Sequence, residues 1–150
     1  PDYKYTGIRE YYHENLEQWK VYYFKNGKID WNANGLCWHN FTTESKRDVG
    51  GEWVYIKNGV MQTEYTGLVN QAGAWWYVNN GWLCKEETLV YYGKTWYYVN
   101  KGAVDFKCDT LVKYGNSWYY VKDGVVDWKA NKTVTYKGNN YKVVNGKVVF

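Results

Sequence analysis

Apolar and polar residues alternate along this chain in short runs, and no apolar run is long. Period-two runs of this kind predict half-buried β-strands. Each run closes on a glycine. Val21–Phe24 precedes Asn26-Gly27, Trp53–Ile56 precedes Asn58-Gly59, and Trp75–Val78 precedes Asn80-Gly81. Trp96–Val99 precedes Lys101-Gly102, Trp118–Val121 precedes Asp123-Gly124, and Asn140–Val143 precedes Asn145-Gly146. These glycines lie 32, 22, 21, 22 and 22 residues apart. Four of the turns are Asn-Gly and one is Asp-Gly, the pairs that best accept positive φ at both centres of a type I′ hairpin turn. Short return strands follow, as in Lys28–Trp31, Ala103–Phe106, Val125–Trp128 and Lys147–Phe150. A connector then carries Gly or Thr before an aliphatic residue, from Gly7-Ile8 to Thr133-Val134.

Strand periodicity puts Trp96 and Tyr98 on one face and Tyr97 and Val99 on the other, so both faces are apolar. A lone hairpin is marginal in water. The hairpins must therefore stack, each covering the next. The expected fold is all-β: a solenoid of about six stacked β-hairpin repeats, one array over residues 1–150, with turns at 26–27, 58–59, 80–81, 101–102, 123–124 and 145–146. The last repeat lacks the Trp, ends at Val149-Phe150 and reads as a C-terminal cap. Tyr5-Thr6-Gly7-Ile8 matches Tyr65-Thr66-Gly67-Leu68, so the chain is expected to begin inside a repeat unit.

The two N-terminal repeats are longer and irregular. The Gly7–Gly27 segment exceeds Gly67–Gly81 by 6 residues and carries Glu10–Trp19; the Gly35–Gly59 segment exceeds it by 10 and carries Cys37–Phe41 and Lys46–Asp48. Insertions in repeat arrays map to loops on one face, often the binding face.

Composition sharpens the question of what the aromatics do. Ten Trp, 18 Tyr and 4 Phe stand beside only 6 Leu and 3 Ile. Leu, Ile, Val and Phe together supply 31 of 150 residues, near the roughly 20% level below which chains tend to be disordered. Trp and Tyr must build the core, meet a ligand, or both. Trp53, Trp75, Trp96 and Trp118 share one repeat position, and Trp31, Phe106 and Trp128 share another. A shared position predicts a packing role, so both sets are expected in the core. Trp19, Trp38, Trp76 and Trp82 fall off the pattern and become candidate ligand contacts. Trp53, Tyr55, Trp75 and His39 complete the candidate set. Flat aromatic rings cover the apolar face of a sugar, and neighbouring amide, carboxylate and amino groups bond its hydroxyls.

Charge and motifs exclude more than they assign. Residues 1–84 carry a net −1 and residues 85–150 a net +5, with the lysines scattered as on a solvated surface. No nucleic-acid-binding motif is present, and no stretch approaches the roughly 18 apolar residues of a membrane helix. The chain has two His and two Ser and no G-x-S-x-G or H-E-x-x-H, and adjacent Glu86 and Glu87 point to opposite strand faces. Neither catalysis nor a cofactor is expected. Three cysteines without C-x-x-C, and an isolated Cys37-x-His39, offer too few ligands for a metal.

The Trp-Tyr-Tyr-Val-x-x-Gly-x-Val-Asp-Phe pattern resembles the cell-wall-binding repeat superfamily of Gram-positive surface proteins. That superfamily includes choline-binding repeats, glucan-binding repeats and the receptor-binding repeats of the large clostridial toxins. The 21–22-residue spacing is most similar to the variant carried by secreted proteins of gut Firmicutes. The resemblance implies β-hairpin solenoids, an extracellular or cell-surface setting and non-catalytic ligand binding between repeats. Choline-binding repeats place a Trp after the connector Gly to complete a three-aromatic cage. Here that position holds Ile8, Leu36, Leu68, Leu89, Leu111 and Val134, so every candidate cage lacks that wall, which argues against choline. In the toxin repeats, sugars bind where long repeats meet short ones, which by analogy points to Trp38, His39, Trp53 and the following repeat.

The expected function is a non-catalytic carbohydrate-binding module of a secreted or cell-surface bacterial protein. Its partner is a polysaccharide or glycan, met through exposed Trp and Tyr, with neither nucleic acid nor membrane insertion involved. The alternatives are a wall-anchoring module of teichoic acid or choline type, and a structural or protein-interaction spacer.

Overall fold

The structure, a computed structural model, describes residues 4–42 and 48–150. Among these the fold is all-β with no helix, built from stacked hairpin repeats as the period predicts. All six glycine turns carry positive φ at both centres, from Asn26 (51°) and Gly27 (81°) to Asn145 (49°) and Gly146 (81°). That is the type I′ geometry the Asn-Gly pairs favour.

The repeat has one strand more than the hairpin reading supplies. The stretch read as a connector is itself a strand. Thr110–Tyr114 pairs antiparallel with Ser117–Lys122, placing Leu111 opposite Tyr120. Ser117–Lys122 pairs in turn with the short return strand Val125–Val126. Thr88–Tyr92, Thr95–Asn100 and Ala103–Val104 repeat this pattern, as do Lys132–Tyr136, Asn139–Val144 and Lys147–Val149.

Two compact units divide the chain: Pro1–Gln71 with Val78–Leu83, and Ala72–Tyr77 with Cys84–Phe150. In the second unit the repeats are stitched through their turn glycines. The Tyr98 N–H donates to the Gly124 carbonyl and the Tyr120 N–H to the Gly146 carbonyl, both at 2.8 Å. The N–H groups of Gly124 and Gly146 donate in turn to the carbonyls of Cys108 and Ala130. The residue before each glycine is held by a side chain of the preceding turn: Asp109 Oδ1 accepts from the Asp123 N–H and Asn131 Oδ1 from the Asn145 N–H. The core lies between neighbouring repeats. Leu89 and Tyr98 pack with Val112, Val121 and Val126, and Leu111 and Tyr120 with Ala130, Val143 and Val148.

The first unit uses the same stitches. Tyr23 donates to the Gly59 carbonyl and Tyr55 to the Gly81 carbonyl. Ile8, Val54, Ile56 and Met61 form its core cluster. Where they are described, its two insertions form strands rather than the surface loops expected. The first lengthens a hairpin, Gly7–His13 against Gln18–Lys25, with Tyr12 opposite Trp19. The second lengthens Gly35–Thr42 and Asp48–Lys57, with Trp38 opposite Trp53. Asp48 opens the second of these strands; Lys46 and Arg47 lie outside the described residues.

Turn glycines that touch the preceding repeat differ sharply from those that do not. A Cβ on Gly124 (φ +79°) would lie 2.5 Å from the Asp105 carbonyl oxygen and 2.8 Å from the Phe106 Cα, whereas one on Gly138 (φ +81°) would meet nothing within 4 Å. Gly138→Ala should cost only the left-handed backbone penalty, about 1–2 kcal/mol. Gly124→Ala should cost about 1–3 kcal/mol beyond that, because the obstacle is backbone. Urea unfolding of the two variants measures the difference; equal midpoints would refute the stitch as a close-packed contact.

Candidate aromatic grooves and an N-terminal cleft

Local chain geometry throws an aromatic into solvent at three of the return turns. The Asp127 N–H donates to the Tyr120 carbonyl at 3.0 Å, and Asp127 Oδ1 accepts from the Lys129 N–H at 3.1 Å. This Asx turn ends the return strand at once, and Trp128 points outward, 49% exposed. Asp105 and Asp30 make the same bonds to the N–H groups of Lys107 and Asn32, and Phe106 and Trp31 are likewise exposed. The expectation that these positions fill the core is therefore wrong. They share an environment because they share a turn, and that turn faces water.

Each outward ring meets the Tyr of its own repeat edge-on. Tyr119 and Trp128 lie 5.7 Å apart, Tyr97 and Phe106 6.4 Å, Tyr141 and Phe150 6.3 Å, and in the first unit Tyr22 and Trp31 5.9 Å. In the second unit the half-buried Trp of the preceding hairpin closes the other side. Trp96 packs on Tyr114 at 5.0 Å, Trp118 on Tyr136 at 5.7 Å and Trp75 on Tyr92 at 5.8 Å. Leu89, Trp96, Tyr114, Tyr119 and Trp128 together line a small groove of about 100 Å³. The position after the connector is aliphatic, as expected, and the groove takes a further ring from elsewhere. Leu89 holds the position after the connector Thr, and Trp128 supplies the further ring from the return turn.

The floor beneath this groove is chemically quiet. Tyr98 is buried, donates its hydroxyl to the Glu87 carboxylate and accepts from Asn100 Nδ2 at 3.4 Å. Burial, then the Glu87 hydrogen bond and charge, push its pKa far above the usual phenol range. Burial also raises the Cys108 thiol, with the Asp105 charge adding to it, and burial raises Cys37. Among the described residues no three His, Cys, Asp or Glu side chains converge as a metal site would need.

The sequence-predicted site residues fall into separate groups. In the first unit Trp38 and Trp53 meet edge-on at 5.5 Å, and His39 lies 6.1 Å from Trp82. Tyr55 packs on Tyr65 at 4.9 Å, and Trp19 stacks on Tyr12 at the far end of the first hairpin. Trp75 and Trp76 belong to the second unit, Trp75 against Tyr92 and Trp76 in register with Ala103. Trp38 and His39 do line one large cleft of about 930 Å³, but Trp53 does not. The opposite wall comes from the first hairpin, through Tyr5, Thr6, Arg9 and Glu10. Residue spacing gave no hint of that wall, because the pairing of whole hairpins creates it. The outward rings of Phe106 and Trp128 were also missed as site residues; the Asp before each was the available signal.

The repeat pattern described as choline-binding repeat matches residues 48–62, 64–84, 85–105 and 109–127, just over half of the chain. The chain belongs to the choline-binding repeat family. The matched repeats include Leu89, Trp96, Tyr114 and Tyr119, and Trp128 follows them directly. Among solved structures the chain is similar to choline binding protein F from Streptococcus pneumoniae, with 17% identity over 97% of this chain and 65% of that one, TM-score 0.32. The same protein in the presence of a peptidoglycan analogue gives 17% identity, 97% and 66% coverage and a TM-score of 0.33. The modular autolysin LytC from Streptococcus pneumoniae gives 14% identity, 95% and 39% coverage and a TM-score of 0.29. The chain spans about two thirds of choline binding protein F and well under half of LytC. No curated protein sequence matches it.

The thiols provide a check on the burial described here. A raised pKa leaves less thiolate at a given pH, and the thiolate is the reactive form. Cys37 and Cys108 should alkylate with iodoacetamide at pH 8 more slowly than a free thiol, and at the free-thiol rate once unfolded in urea. Mass spectrometry of the labelled peptides reads both rates; full labelling of the folded chain at the free-thiol rate would contradict the packing.

Proposed function

We propose that this chain is a wall-attachment module that holds quaternary ammonium groups of a cell-wall polymer in the aromatic grooves of its second unit. The observation that carries the reading is the groove of Trp96, Tyr114, Tyr119 and Trp128 over Leu89. Ring faces attract a cation electrostatically, and the attraction strengthens as the cation sheds water. No carboxylate or amide lines this groove. A primary ammonium entering it would lose hydrogen bonds to water and find few acceptors, which is costly. A quaternary ammonium has no N–H to satisfy, so the groove favours it.

The family membership supports the same ligand class. The ring pairs recur one repeat earlier at Trp75–Tyr92 and Tyr97–Phe106, and one repeat later at Trp118–Tyr136 and Tyr141–Phe150. A single shallow groove binds weakly, about −4 kcal/mol for a millimolar Kd. Repeated grooves on a repeating polymer add avidity without new contacts. Wall anchoring, the alternative in the sequence reading, is therefore preferred over binding of a foreign glycan. The role is binding without catalysis, exercised at the bacterial surface.

Titration with choline, followed by tryptophan fluorescence, tests the reading. Choline should bind with a Kd in the millimolar range and ethylamine much more weakly. Trp128→Ala should weaken choline binding about 2- to 30-fold, the span of a cation–π contact between exposed and desolvated settings. Trp38→Ala should leave it unchanged. Equal affinity for choline and ethylamine, or no loss in Trp128→Ala, would sink the proposal.

A further inference from the structure

One cavity far larger than the aromatic groove is of a different kind. It is the cleft of about 930 Å³ in the first unit, between the strands Gly7–His13 and Gly35–Thr42. Its size lies at the upper end of the range for small-molecule sites. Its walls are chemically unlike the grooves. Arg9 and Glu10 come from one strand and Trp38, His39 and Asn40 from the other, with Thr6 at one end.

The fixed charges cancel: one guanidinium, one carboxylate. The Glu10 charge acts on His39 across the cleft. Burial lowers the His39 pKa and outweighs the pull of Glu10, which favours the neutral imidazole. Arg9 is held over the Tyr5 ring at 3.6 Å. Trp38 donates its indole N–H to Asn40 Oδ1, which fixes the indole and leaves the Asn40 amide hydrogens as donors. The exposed Trp38 indole, 43% accessible, and Asn40 thus share one strand face at the rim of a cleft that also carries one guanidinium and one carboxylate.

Two strand edges also suggest an added peptide strand, and the hydrogen bonds argue against it. The Leu36 N–H donates to Gln71 Oε1 at 2.7 Å, and its carbonyl accepts from Gln71 Nε2 at 3.3 Å. The Ile8 carbonyl accepts from the Tyr5 hydroxyl at 2.7 Å. Edge groups that a peptide strand would need are already taken by side chains. What remains is side-chain chemistry suited to hydroxyls and a flat C–H face.

We propose that this cleft is a second binding site, which takes a short uncharged oligosaccharide by stacking it on Trp38 and hydrogen-bonding it through Arg9, Glu10 and Asn40. The site is independent of the ammonium grooves, in residues and in ligand chemistry.

The test uses the full chain, labelled with ¹⁵N, and the tetrasaccharides chitotetraose and maltotetraose. The indole N–H signal of Trp38 is assigned through Trp38→Phe. At least one sugar should shift that signal, saturating by about 10 mM for a Kd near millimolar. Glu10→Gln and Asn40→Ala alter exposed side chains and should keep the fold, and each should weaken binding about tenfold through a lost hydrogen bond. Trp128→Ala should have no effect, and choline should not compete. The proposal is overturned if neither sugar moves the Trp38 indole signal, if Glu10→Gln and Asn40→Ala both bind as tightly as the parent, or if Trp128→Ala or choline removes the binding. Failure here leaves the choline titration untouched, and the reverse also holds.

Discussion

Everything in this fold hangs on a glycine carbonyl and a glycine N–H placed at the tip of a hairpin. The tip is a turn and an interface at once. Gly124 holds a left-handed backbone, gives its carbonyl to Tyr98 and its N–H to Cys108, and sits so close to Asp105 that a Cβ has no room. Gly146 repeats these contacts on Tyr120, Ala130 and Asp127. Gly59 does so on Tyr23, Ala33 and Asp30 in the first unit. A hairpin alone is marginal in water. Pinning its tip against a neighbour makes the two apolar faces meet in register and turns thin aliphatic content into a continuous core.

The same stitch explains where the binding rings stand. The glycine packs over the backbone of the preceding Asp-aromatic step, so that step cannot be a continuing strand. The Asp side chain caps the next N–H groups, and the chain turns back. The aromatic that follows has the glycine of the next repeat against its Cα, 2.8 Å from the hypothetical Gly124 Cβ at Phe106 and 2.9 Å from that of Gly146 at Trp128. Its side chain has only the outside to occupy. Exposed aromatics at such turns would be an aggregation hazard if they served no ligand. Resting edge-on against the Tyr of its own repeat covers part of each ring and leaves the rest available.

This geometry also sets what the sequence could reveal. Asn-Gly and Asp-Gly turns carry a local φ requirement, so turns and period were legible from residues alone. The strand before each aromatic run was not, because Gly93-Lys94 and Gly115-Asn116 resemble linker chemistry and the strand itself is only five residues long. Repetition of Trp31, Phe106 and Trp128 indicated a common environment but not its polarity, and the inference of burial failed there. The Asx turn that faces them to solvent depends on a side-chain bond two residues along. The cleft was less legible still. Trp38 and His39 stood out by falling off the pattern, whereas Arg9 and Glu10 gain their meaning only when a second hairpin is laid beside the first.

Length is what separates the two kinds of site. Regular repeats pair five residues with six, just enough to bury one layer of Leu, Val and Tyr, and the space left between successive rings is a small dry groove. The first two hairpins pair seven with eight and eight with ten. The added residues reach past the core layer, so they have no aliphatic floor to pack on. Their side chains accordingly include Glu10, His13, His39, Asn40 and exposed Tyr11, Tyr12 and Trp19. A strand extension of this composition gains little by burial and keeps a wide, polar-lined gap open between neighbours. Dry grooves select an ion that needs no hydrogen bonds, whereas a wide polar cleft rewards a ligand that makes many. One repeat framework thus offers two recognition chemistries by changing strand length alone, without changing the turn that holds it together.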